Sequence, residues 1–149
     1  MLNQKEISHL KHNEKELLFN INVRYGDLLE IHESILEDTL HIRIKSPVPD
    51  NDIEIFYHYY TMVLSIGKWT HTHPETIEDL LLTIDKIIDE EIIVWKVTSP
   101  DGNWSAGHYD IYEWEKNPHM VDEPDTNLER GDWIERSTFK RIIENKIIE

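Results

Sequence analysis

His71 and His73 stand two residues apart in Trp69-Thr70-His71-Thr72-His73-Pro74, the tightest grouping of metal-binding side chains in the chain. If the backbone is extended up to Thr72, both imidazoles project to one face, where two ring nitrogens can hold a borderline cation such as zinc. A catalytic zinc needs a third protein ligand and an open position. His108 and Asp110, also two residues apart, supply the candidates, so the metal set would be His71, His73, His108 and Asp110, with zinc as cofactor. A metal-free hydrolase can be drawn from the same residues, with His71 or His73 as general base, Asp110 or Glu75 orienting it, and Ser65 or Thr70 as hydroxyl. Nine histidines in 149 residues, however, give such pairs by chance, and no H-E-x-x-H signature is present. The five glycines, Gly26, Gly67, Gly102, Gly107 and Gly131, form neither a phosphate loop nor a dinucleotide fingerprint. The reading therefore favours a protein with no cofactor, whose histidines are structural.

A second grouping is aromatic and acidic. Of five tryptophans most are expected in the core, with Trp69 anchoring the strand that leads to the helix, while Trp114 and Trp133 bracket residues 115–132, which hold Pro118, Pro124, Gly131 and six acidic side chains. Aromatic anchors beside a charged rim are what protein interfaces use. The expected partner-binding residues are Trp114, Asp122, Glu123, Asp125 and Trp133.

The charge balance points the same way. Thirty Asp and Glu against 15 Lys and Arg give a formal charge of −15. The basic residues are interleaved with acids, as in Lys86 beside Asp85 and Arg130 beside Glu129, so no basic patch exists to displace counterions from a phosphate backbone. Nucleic acid is excluded as a partner, and a basic protein is favoured. In size, charge and lack of a catalytic signature, the chain resembles the small acidic bacterial immunity proteins that block basic, nuclease-like toxins. The resemblance implies an antitoxin-type binding protein rather than an enzyme. The bias toward Ile, Lys, Glu and Asn is similar to that of low-GC bacterial genomes.

No apolar run approaches the roughly 18 to 20 residues of a membrane span, and Met1 to Glu6 lacks a signal peptide's apolar core, which leads to the expectation of a cytoplasmic protein. The absence of cysteine removes disulfides, thiolate ligands and cysteine nucleophiles. At this length one domain over residues 1–149 is expected, with roughly the first 20 residues peripheral.

These side chains must be positioned by local structure. Ile77, Leu80, Leu81, Ile84, Ile87 and Ile88 recur at helical spacing, predicting an amphipathic helix from Pro74 to about Asp89 with Thr72 and Glu75 as a capping box. Phe139, Ile142, Ile143 and Ile147 predict a C-terminal helix capped by Ser137 or Thr138. Ile92–Thr98, the turn cluster Ser99-Pro100-Asp101-Gly102-Asn103 and the run Trp104–Trp114 read as a β-hairpin, with Trp95 and Trp104 placed to pair across it. Leu40, Ile42 and Ile44 alternate with polar residues as in a half-exposed strand, and Ile53–Ile66 reads as one central strand. Residues 27–36 fit a capped helix, whereas Phe19, Ile21, Val23 and Tyr25 alternate like a strand. Residues 3–18 are either a helix resting Ile7, Leu10, Leu17 and Leu18 on the core or a frayed terminus. The fold class is α+β, a largely antiparallel sheet with two or more amphipathic helices packed on it.

Overall fold

The computed structural model describes residues 1–46, 51–67, 70–89, 91–98, 104–110 and 112. A short helix α1 (Gln4–Ser8) leads into α2 (His12–Tyr25), followed by strands β1 (Ile31–Leu36), β2 (Thr39–Ile44), β3 (Ile53–His58), β4 (Thr61–Ile66) and β5 (Thr70–Thr72). Helix α3 (Ile77–Ile88) and strands β6 (Ile92–Thr98) and β7 (Trp104–Asp110) complete the order. Strands β1 to β5 form one antiparallel sheet in chain order, and β6 pairs with β7 in an antiparallel ribbon. The fold is α+β.

Alternation builds the sheet. Leu40, Ile42 and Ile44 of β2 are buried, as are Ile53, Ile55 and Tyr57 of β3 and Met62, Leu64 and Ile66 of β4, while the residues between them look to the other face. The register sets Ile42 beside Ile55 and Ile55 beside Leu64, making one apolar face. Leu17, Leu18 and Ile21 of α2 and Leu80, Leu81, Ile84, Ile87 and Ile88 of α3 join those residues in one buried cluster. Each fully buried Leu or Ile contributes roughly 1.5–3 kcal/mol over its exposed state, so this cluster holds the helices on the sheet. No helix among the described residues is long and apolar enough to cross a membrane.

The two helices run in the same direction. Near their C-terminal ends Tyr25 Oη donates to Asp85 Oδ1 at 2.5 Å and Arg24 donates to Asp85 Oδ2 at 3.1 Å. Burial, and after it the Asp85 carboxylate, holds the Tyr25 phenol well above its ordinary range.

Several expectations are corrected. The run Ile53–Ile66 is a hairpin of two strands, because Tyr59 and Tyr60 adopt left-handed backbone (φ 44° and 67°) and turn the chain in two residues. Helix α3 begins at Ile77, and its cap is Thr76, whose Oγ1 accepts from Asp79 N at 3.0 Å. Thr72 is committed to β5, where it pairs with Leu64, so Thr72 and Glu75 do not form the capping box and His73 precedes the helix. The first third inverts the expected elements: residues 19–25 lie in α2, and Ile31–Leu36 is an edge strand. On α2, Phe19 and Val23 sit four residues apart on the exposed side while Leu17, Leu18, Ile21 and Tyr25 face the core, so the apparent strand alternation mixes two helix faces. Of the two readings of residues 3–18 the helical one holds, with Leu10, Leu17 and Leu18 buried and Ile7 packed against the core. The 92–110 hairpin forms, but Trp95 stands opposite Gly107 and Trp104 opposite Thr98, so the two tryptophans are not register partners. The C-terminal helix expected around Phe139–Ile147 and the 115–132 segment lie outside the described residues.

Candidate functional site

The histidine constellation is partly assembled. Strand β5 is extended through Thr72, and the His71 and His73 rings meet edge to face with centroids 5.1 Å apart. The ribbon brings His108 to the same region: its Nδ1 lies 2.8 Å from Thr70 Oγ1. Burial first, and the charge of His71 second, holds the His108 imidazole below the ordinary histidine range. Asp110 is engaged elsewhere, accepting from Lys86 Nζ at 2.6 Å and from Tyr112 N at 2.9 Å. That leaves three imidazoles and no free carboxylate, and among the described residues no group of three or more His, Asp or Glu side chains is placed to hold a metal ion. Nor does any carboxylate among the described residues orient His108, whose Nδ1 meets the Thr70 hydroxyl instead. Ser65 stands opposite His71 in the β4–β5 register, on the side of the sheet away from the core.

The residues expected to bind a partner, Trp114, Asp122, Glu123, Asp125 and Trp133, lie outside the described residues, as does Trp69. The described residues hold a different acidic and aromatic surface.

Topology creates it. With five antiparallel strands in chain order, the β1–β2 turn at Glu37-Asp38 and the β3–β4 turn at Tyr59-Tyr60 fall at the same end of the sheet. The chain leaves β5 toward that end and enters α3 there. Both turns are two-residue loops with positive φ at both positions (47° and 63° at Glu37 and Asp38), the type that matches the twist of a hairpin. Such turns favour Asn and Gly, because a Cβ in left-handed backbone crowds the neighbouring carbonyl. Two tyrosines there carry a conformational cost of order 1–3 kcal/mol each, and they are not repaid by core burial, since Tyr59 is 64% and Tyr60 is 72% exposed. Leu36, at the neighbouring turn, is likewise 72% exposed.

One cation already addresses both rings. Lys11 Nζ lies 5.3 Å from the Tyr59 centroid and 5.2 Å from that of Tyr60. Beside Tyr60 a cleft of about 410 Å³ opens between the N-terminal turns of α2 and α3, lined by the exposed Glu16, Glu75 and Glu78 and by the buried Tyr57 and Met62. Among the described residues none of these three carboxylates has an ion pair or a side-chain hydrogen bond. Among the described residues no Lys or Arg lines the cleft.

This end is hard to read from the sequence because its residues come from four separate segments and none carries a motif. One local signal was present: Tyr59-Tyr60 interrupts a 14-residue β-favouring run, and the alternation of buried residues shifts phase there, from Tyr57 to Met62. Comparison of the chain with protein-family models, with curated proteins and with solved structures gives no match.

Proposed function

We propose that the protein is a binding module that docks a basic partner protein on the end of its sheet, in the manner of the small acidic immunity proteins that neutralise basic toxins. The observation that carries this reading is the exposed Tyr59-Tyr60 turn. Two bulky aromatic rings are kept in costly left-handed backbone and offered to solvent, where folding gains little from them. Tyrosine is among the residues that dominate interface energetics, combining large contact area with few rotatable bonds. Around the turn, Glu37, Asp38, Glu75 and Glu78 carry negative charge on a chain whose net charge is −15, which suits electrostatic steering of a basic partner.

The test is capture from the lysate of the source cells, with tagged wild-type protein and a Glu37→Lys, Asp38→Lys, Glu75→Lys, Glu78→Lys variant as baits, at low and high salt. A basic protein held stoichiometrically by the wild type, released by salt and not held by the variant supports the reading. Equal retention by both baits contradicts it.

A further inference from the structure

We infer that the cleft beside Tyr60 is a socket for a single arginine side chain of the basic partner. The inference rests on the binding-module reading and names the chemical group recognised. Four properties of the cleft select the ligand. Its buried lining is apolar, formed by Tyr57 and Met62, both about 5% exposed or less, which suits the aliphatic stem of a long basic side chain. One wall is the Tyr60 ring, belonging to a turn that already attracts the Lys11 ammonium of this chain. Its lining includes Glu16, Glu75 and Glu78 and, among the described residues, no Lys or Arg; the Lys11 ammonium over Tyr60 offsets one of these three charges, so an entering cation still meets net negative charge. Its volume of about 410 Å³ admits an extended side chain with its planar head.

The spread of the carboxylates decides between kinds of cation. A calcium ion needs six to eight oxygens converging at roughly 2.3–2.6 Å. Glu16, Glu75 and Glu78 border one cleft, yet among the described residues no group of three such side chains converges closely enough to hold a metal. A guanidinium is larger and planar, presents donors along two edges and stacks flat on a ring, so it can reach separated carboxylates while resting on Tyr60. An ammonium is a compact point charge and reaches only one of them at a time.

The experiment is a titration of the isotopically labelled full chain, followed by amide resonances at ~0.15 M salt. The probes are N-acetyl-arginine amide, its lysine counterpart and its neutral citrulline isostere. The expected result is a concerted, saturating movement of the Tyr60, Met62, Thr76, Ile77 and Glu78 amides with the arginine probe, half-complete on the order of 10 mM. The lysine probe should bind more weakly and citrulline should move these resonances little. Glu75→Gln with Glu78→Gln should weaken the arginine response about threefold or more, as loss of two screened charge contacts implies, and Tyr60→Ser should weaken it without unfolding the chain. Shifts scattered over the acidic surface, or a citrulline response equal to that of arginine, would overturn the socket. Because the probe needs no partner protein, that outcome is separate from the lysate capture: a partner captured on the turn end with no arginine response at the cleft removes the socket alone.

Discussion

Single residues set two measurable properties. His108 is half-buried beside Thr70 and His71, and its imidazole is held below the ordinary value of 6.5. The folded protein therefore binds this proton less readily than the unfolded chain does. Above the unfolded value both states are neutral there and the group contributes nothing to the pH dependence; as pH falls below about 6.5 the unfolded state gains the proton first and stability drops. His108→Asn should make the urea midpoint fall less between pH 7.5 and pH 5.5 than it does in the wild type. An equal fall in both would show that His108 does not carry the effect. Tyr25 works in the opposite sense, since its phenol is held above its ordinary value and its contribution is fully present below about pH 10 and lost on further alkalinisation. Removing its hydroxyl in Tyr25→Phe takes one hydrogen bond from the Asp85 carboxylate while Arg24 remains in place. A loss of about 1–2 kcal/mol is expected at neutral pH by urea denaturation.

At the scale of elements, the sequence was most legible where local chemistry and tertiary packing agree. The alternation of Leu40, Ile42 and Ile44 and the helical spacing of Leu80, Leu81, Ile84, Ile87 and Ile88 each describe one buried face, and both elements form, the helix starting at Ile77 rather than Pro74. The misreadings have separate physical causes. The β3–β4 hairpin lacks turn residues, because Tyr59-Tyr60 occupies positions that hairpins normally give to Asn-Gly. Helix α2 hides its period behind exposed Phe19 and Val23. The start of α3 offers two threonines with acids three residues on, and pairing of Thr72 with β4 leaves Thr76 as the cap. Thr76→Ala should accordingly cost about 1 kcal/mol, while Thr72→Ala, which removes no cap, should cost less. Replacing Tyr59-Tyr60 with Asn-Gly relieves the left-handed strain, so the doubly substituted protein should be more stable by about 1 kcal/mol in thermal or urea unfolding.

For the whole molecule, charge and topology act together. An excess of 15 negative charges makes the entire surface favourable to a basic partner at long range, but at ~0.15 M salt each charge acts over only about 8 Å. Affinity must then come from where apolar contact and acidity coincide. Among the described residues the turn end provides that coincidence, and it exists only once the fold has gathered two hairpin turns and two helix starts. This is why composition pointed to a basic partner while the sequence alone did not locate this surface. Charge reversal at Glu75 and Glu78 should slow association with a captured partner and flatten its salt dependence, whereas reversal of the exposed Asp27, just past the C-terminal end of α2, should leave the rate unchanged.

The most direct test of the central claim sets stability against binding at the Tyr59-Tyr60 turn. The Asn-Gly variant is used as bait beside the wild type in the lysate capture, with thermal unfolding of both proteins measured in the same buffer. If the turn is kept for a partner, the variant unfolds at a higher temperature and retains little or none of the basic protein held by the wild type. A variant that is more stable and retains the partner as well as the wild type would contradict the claim that this end of the sheet is the binding surface.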